Sequence, residues 1–424
     1  MNPVLSALED RKRTAGDLPA IRFVGAQPRA AVTWSAYCEA VSRYVRALTA
    51  AGVRPGGVVA LRLPTSARLF ALRLALTQVG ATAMILSPRL RQSELAAAIR
   101  GCGVQLYLGE GAAEGIARAM SVDALEALAA AVLPSSEPPT LSPIREAPEI
   151  LIFSAGRGGG PRKRVALSSE NLLFASQSLV SAFSLSDRDL ILSHLPPSRL
   201  SEQLFSIHCA LLSGAQVCVS EEGFPVGEAI RASRPTVLFG PPDFWRGLKA
   251  EALLQAQALP DKVRGRLERA MAVARERNAA ELAGRKISTL NELEYRGYLQ
   301  TVLLPLKALI GLDRCRVAIS SGSSLGEPLF QFFSGLDLQI REVYGQAEVS
   351  GLSACNVPGE SRPGSVGRPL LGVEVRISDD GEIWLRSSGL GSGEWRPRDE
   401  WLATGDLGRL DDEGYLYLDG RKRI

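Results

Sequence analysis

The stretch from Gly56 to Gly103 limits the fold more than any other. GGVVALRLP reads as a buried strand, RLFALRLALTQVGA as a helix, ATAMILSP as a second strand and RQSELAAAIRGCG as a second helix stopped by glycine. Strand and helix in strict alternation predict a parallel sheet flanked by helices, an α/β architecture. Just upstream, AIRFVG and AAVTW read as a strand pair. They lead into Ser35–Ala51, whose apolar residues recur at helical spacing until Gly52. A chain of 424 residues is too long for one simple core, so two or more packed lobes are expected.

Composition narrows the function. The chain is 46% apolar and 22% charged, and no 18-residue uncharged apolar run occurs in it. Its start, MNPVLSALEDRKRTAGD, carries charges where an export signal needs an apolar centre, which predicts a cytoplasmic location. The six cysteines are dispersed, without the paired spacing of a zinc site or a disulfide frame. A net charge of +4 is too small to argue for nucleic acid and suits a small anionic ligand such as a nucleotide. With two histidines and no Gly-x-Ser-x-Gly, the commonest hydrolase reading falls away.

The later stretches carry the chemistry. EILIFSAG is a strand, GRGGGPRKR a basic glycine loop and VALSSENLLFASQSLVSAFSL a helix. Together they read either as a phosphate cradle, with backbone N–H groups converging on oxygens, or as a surface loop. Residues 133–148, rich in Pro and Ser, read as the connection before them. Residues 248–296 are charge-rich with helical spacing, which predicts a surface helical insertion whose charges are solvated; a membrane-contacting basic helix is the other reading. CRVAISSGSSLGEPLFQFF is a strand, turn and helix. IREVYGQAEVSG, from Ile340 to Gly351, is a strand end that delivers Glu348 either to a cleft or to solvent. Beyond it, short strands with close turns predict a small β-barrel subdomain over residues 366–424, after a two-lobed core over 1–365.

Taken in order, IFSAGRGGGPRKRVALSSENLL, IREVYGQAEVSG and WLATGDLGRLDDEGYLYLDGRKRI resemble the adenylate-forming (AMP-binding) superfamily. The closest likeness is to its long-chain fatty acyl-CoA synthetases, from about Leu18 to the last residue. The resemblance implies the large N-terminal domain of those enzymes, with two parallel-rich sheets flanked by helices. It implies ATP-dependent activation of a carboxylic acid, a fatty acid in that branch, to an acyl-adenylate. Transfer to CoA or to the phosphopantetheine thiol of an acyl carrier protein would follow, with Mg2+ as the metal and peripheral membrane contact for a lipid-borne substrate.

Carried over residue by residue, Ser154, Gly156, Gly158, Gly159 and Gly160 would hold phosphate oxygens. Arg162 stands at the position of the loop's catalytic lysine. Gly322, Ser323, Ser324, Tyr344 and Gly345 would meet the adenine, Asp406 with Arg421 the ribose, and Glu348 the metal as a catalytic acid. Arg199, Glu202, Gly240 and Phe244 would line the acyl pocket. The chain also departs from the pattern: Ala155, Arg157 and Gly158 replace hydroxyl residues of the phosphate loop, and Ala347 replaces a threonine. These losses keep a second reading open, a degenerate relative that binds an acyl group, a nucleotide or a partner protein without adenylating. The last residues correspond to the family's hinge, and the mobile C-terminal lid that follows there has no counterpart in this sequence.

Overall fold

The computed structural model describes residues 2–110, 118–131, 148–154, 163–393 and 401–422. Two large sheets and one small one organise them. The first has seven strands in the order Ser392–Gly393, Lys163–Leu167, Ile150–Ser154, Thr82–Ile85, Val58–Arg62, Val104–Gly109, Ala119–Met120. From Ile150–Ser154 to Ala119–Met120 every pairing is parallel, as the Gly56–Gly103 alternation predicts.

The second sheet has nine strands, with Val317–Ser321, Val237–Gly240, Leu190–Ser193 and Gln216–Ser220 in parallel at its centre and Ile340–Tyr344 beside Val317–Ser321. Pro19–Val24 joins it in parallel and Val32–Thr33 completes the expected strand pair. The α/β class and the two flanked sheets are as expected. The β-rich end is a curled four-stranded antiparallel sheet built from Val373–Ile377, Glu382–Ser387, Leu402–Leu410 and Leu416–Arg421.

Local chemistry explains the elements that matter to the site. The helix Ala67–Val79 starts where Ser66 Oγ accepts from the N–H of Leu69 at 3.2 Å and stops at Gly80, whose φ of 75° suits glycine. It is buried nearly all round, as a helix packed within a core must be. One apolar cluster runs through both large sheets, joining Val59 and Ile150 of the first to Ile191 and Val217 of the second. A smaller one ties Tyr344 and Val349 to Ile383 and Leu385 of the four-stranded sheet.

One expectation needs correction and one is refined. The helix expected from Val165 begins only at Ser169, because Lys163–Leu167 forms a strand antiparallel to Ile150–Ser154. Val165 and Leu167 are buried there and their neighbours less so, a period of two that outweighs helical spacing. Ser168 then caps the helix: its Oγ accepts from Asn171 N–H while Asn171 Oδ1 accepts from Ser168 N–H. The described chain thus resumes after the glycine-rich segment as a strand, and the helix begins only at Ser169.

The charge-rich insertion is helical, over Pro242–Gln257, Leu267–Leu282 and Thr289–Tyr298, yet not only a solvated face. Ala270, Val273, Ala274 and Tyr295 bury an apolar cluster of their own with Val302 and Leu303. No helix among the described residues is long and apolar enough to cross a membrane. The loop read over 133–148 lies outside the described residues except for Pro148.

Candidate active site

The strand Ile340–Tyr344 delivers the site. Its residues alternate between faces, so Glu342 and Tyr344 share one. Gly345 follows because the chain turns back on itself: a Cβ there would lie 2.6 Å from the carbonyl carbon of Gly351. The neighbouring strand Val317–Ser321 ends at Gly322, whose φ of 97° an L side chain rarely adopts. Between these strand ends and the four-stranded sheet lies a cleft of about 340 Å³. Its walls hold Gly322, Ser323, Ser324, Tyr344 and Gly345 together with Asp406 and Arg421, seven residues that the sequence assigned to one nucleotide. A cleft outside the carboxyl ends of parallel strands is where open α/β sheets take ligands.

Asp406 is the electrostatic centre of this wall. It is buried on the strand Leu402–Leu410, opposite Arg421 on Leu416–Arg421. Oδ1 accepts from Arg421 Nε at 2.7 Å, and Oδ2 from Tyr344 OH at 3.0 Å and Gln346 Nε2 at 2.7 Å. A carboxylate has about four acceptor positions, so one remains on Oδ1. Of the donors to Asp406, the Arg421 side chain faces solvent, being 63% exposed. Burial and the Asp406 charge push the Tyr344 phenol well above its ordinary range, so it donates as a neutral hydroxyl.

Sequence reasoning missed two members. Gln346, inside the quoted YGQAE, ties the turn to the four-stranded sheet by donating to the Thr404 carbonyl at 2.8 Å as well as to Asp406. Glu342 lines the cleft two residues before Tyr344 and accepts from Leu325 N–H at 2.7 Å, and burial pushes its carboxyl up. Period-two spacing back from Tyr344 was the signal for it.

Glu348 is not in the cleft wall. It is 7% exposed in the single turn Ala347–Val349, whose carbonyl at Glu348 accepts from Gly391 N–H at 2.9 Å. Among the described residues no group of three or more His, Cys, Asp or Glu gathers to hold a metal. One protein carboxylate plus substrate phosphates is a donor set that suits magnesium. Ser154 closes the strand Ile150–Ser154, in register with Lys163. Gly156, Gly158, Gly159, Gly160 and Arg162 lie outside the described residues.

The four acyl-pocket residues separate. Arg199 is exposed at the start of Leu200–Gln203. Gly240 and Phe244 touch: a Cβ on Gly240 would meet the Phe244 ring at 2.4 Å. Phe244 packs in turn on His194, ring centres 4.8 Å apart, and burial pushes that imidazole down to about 4. Glu202 is fully buried behind His194–Pro197, a segment that lines a separate hollow of about 400 Å³.

Fold and cleft together define an α/β domain with a β-rich end and a ligand-sized cleft at its strand ends. The model of the AMP-binding enzyme family matches residues 8–395, and the chain belongs to that family. Among curated proteins it is 33% identical over 294 residues to the long-chain-fatty-acid–CoA ligase heimdall of Drosophila melanogaster, covering 64% of this chain and 42% of heimdall. It is 28% identical over 303 residues to the long-chain-fatty-acid–CoA ligase ACSBG2 of Homo sapiens, 64% of this chain and 43% of that one. The chain thus spans less than half the length of these relatives.

Among solved structures, the inhibitor-bound N-terminal domain of FACL13 from Mycobacterium tuberculosis superposes with a TM-score of 0.76 at 20% identity, over 99% of this chain and 100% of that one. O-succinylbenzoate coenzyme A synthetase (MenE) from Bacillus subtilis, in complex with ATP and magnesium ion, gives 0.73 at 19% identity, over 98% and 79%. At these identities the likeness is one of fold.

Proposed function

We propose that the chain is the nucleotide- and acid-binding part of an AMP-forming carboxylate–CoA ligase of fatty-acyl type, working in the cytoplasm. The observation that carries this is the Asp406 cluster: a carboxylate, a phenol and an amide fixed on one another at the wall of a cleft whose other wall is Gly322–Ser324. Asp406 takes the ribose hydroxyls as Arg421 swings out, and the adenine lies between Gly322–Ser324 and Tyr344, with Glu342 as a further acceptor. The division near residue 365 separates this core from the four-stranded sheet that supplies Asp406.

Activation joins two anions, so the site must neutralise the triphosphate and hold a carboxylate oxygen in line with the α-phosphorus. Arg157 and Arg162 bring two guanidinium groups to that loop, each able to grip phosphate oxygens bidentately in place of the missing hydroxyls. Glu348 would hold magnesium, which supplies charge neutralisation at the phosphates when bound. Transfer to CoA or a carrier thiol belongs to the whole protein.

Calorimetric titration with ATP–Mg2+ and with a non-hydrolysable acyl-adenylate mimic tests the reading. The mimic binds the wild-type chain, and Asp406→Asn, its melting temperature checked, weakens it by about ten- to a hundredfold, the worth of a hydrogen bond to a charged group. Equal affinity in the two proteins would sink it.

A further inference from the structure

Glu342 belongs to two walls: that of the nucleotide cleft and that of a small hollow of about 20 Å³ beside Gln339 and Arg341. This hollow shares Leu282, Phe330, Ser361, Arg362 and Pro363 with an outer one of about 330 Å³, so the two form one groove with a narrow inner end. At that end lies Arg341, a cation with no ion-pair partner among the described residues, and its Nε is buried without a partner. Its hydrogen bonds among the described residues are long ones, 3.3 Å to the Gln339 carbonyl and 3.5 Å to Gln339 Oε1.

Neither of the nearby carboxylates forms an ion pair with it. Glu281, which acts on Arg341 from a distance, is bound to Arg277, and Glu342 is held by Leu325 N–H and Ser324. Arg362 is a different case, already paired with Asp411 and Glu413. Arg275, at the outer hollow, makes no ion pair among the described residues either. Burial without a partner pulls Arg341 below its ordinary value, the mark of a charge enclosed without compensation. Arg341 is half-buried, and its enclosed Nε is left without a partner on the side that faces the hollow.

The dimensions select the partner. One water-sized sphere needs about 10–15 Å³, so the inner hollow takes one or two oxygen-sized atoms. A planar carboxylate head, with two oxygens, matches a hollow of that size. The outer hollow, at the lower end of small-molecule pocket sizes, offers Ala279, Leu282, Ala283 and Phe330 to an apolar stem. We propose that this groove is a second acid site, distinct from the nucleotide cleft: it binds a monocarboxylate with an apolar stem, the head group on Arg341 and Arg275 at the mouth. The site does not depend on the chain being a ligase. Because Arg341 and Glu342 are adjacent on the strand that ends in Tyr344, an acid bound here touches the framework of the cleft.

The test is a titration with carboxyl-13C decanoate, without nucleotide, read by NMR, with decanol and decyl phosphate as head-group controls. Wild type shows a saturable bound resonance. Arg341→Met loses it or weakens it at least tenfold, while melting no lower than wild type in the absence of acid. Arg275→Gln weakens it severalfold, and decanol and decyl phosphate bind at least tenfold more weakly than decanoate. Equal decanoate affinity in wild type and Arg341→Met, or decanol or decyl phosphate binding as tightly, overturns the proposal. If Arg341→Met does not fold, Arg275→Gln decides, and unchanged affinity there overturns it. Asp406→Asn keeps the resonance, so failure of the nucleotide reading and failure of this one remain separable.

Discussion

Two glutamates enclosed to the same degree are held in opposite ways. Glu149, just before the strand Ile150–Ser154, accepts from Arg73 Nη2 at 2.5 Å and from Ser169 Oγ, and His208 Nε2 lies 3.2 Å from it. Glu202, just after Arg199, accepts from Ser193 Oγ, from Ser206 Oγ at 2.7 Å and from Leu195 N–H at 3.2 Å. Burial pushes both carboxyls up. At Glu149 the Arg73 charge and the His208 bond outweigh it and hold the carboxyl well below the usual range, while at Glu202 hydroxyls and N–H groups do not, and it stands at about 7. Both have hydrogen bonds; only one has a formal charge opposite it. The difference also divides their work. Glu149 clamps the helix Ala67–Val79 of one lobe to the helical segment Leu204–Cys209 of the other, and Glu202 backs the segment His194–Pro197.

Removing the charge is the harshest way to break this contrast. Arg73→Met leaves an unpaired buried carboxylate and costs about 3–5 kcal/mol of stability in chemical denaturation at neutral pH, and Arg73→Met with Glu149→Met recovers most of it. A single-variant loss below about 1 kcal/mol would break the contrast. Glu149 contributes its stabilisation above the unfolded value near 4.5, and that contribution fades as pH falls below it.

Glu202 behaves in the other sense. Between its ordinary value of 4.5 and about 7, the unfolded chain has released the proton that the folded chain keeps, so this group lowers stability as pH rises. The loss is roughly 3 kcal/mol by pH 8, since the folded carboxyl stands at about 7 and the unfolded one at 4.5. Glu202→Gln removes that slope, so denaturation at pH 5 and pH 8 gives the variant a relative gain at the higher pH. A variant with the wild-type slope would show that Glu202 is ionised in the fold.

Much of this architecture was legible in advance, and the reasons are local. Apolar runs closed by glycine, as in GGVVALRLP and RLFALRLALTQVGA, announce strand and helix because their signals lie within a few residues. Seven of the predicted nucleotide residues meet in one cleft because each sits at a strand end or turn that the motif itself specifies. What escaped was long-range. Neither Arg73 nor Glu149 carries a mark of pairing across 76 positions, and Arg199 looks like a pocket residue until the helix start turns it outward. Residues 165–167 read as the start of a helix in the sequence because the antiparallel partner that makes them a strand supplies half of the evidence.

The gentlest perturbation tests whether hydrogen bonds matter at all beside the missing charge. Ser206 Oγ donates to Glu202 Oε1, and a donor favours the ionised form, so Ser206→Ala should move the carboxyl further up. A net bond of about 0.5–1.5 kcal/mol corresponds to a rise of roughly 0.4–1 unit from about 7. Carboxyl-13C glutamate NMR, with Glu202→Gln identifying the resonance, would read it directly. In the Glu202→Gln background the same serine change should leave the pH dependence of stability untouched, since the titrating partner is gone. An unmoved midpoint in the single variant would mean that enclosure alone sets Glu202, and the contrast with Glu149 would then reduce to the presence or absence of Arg73.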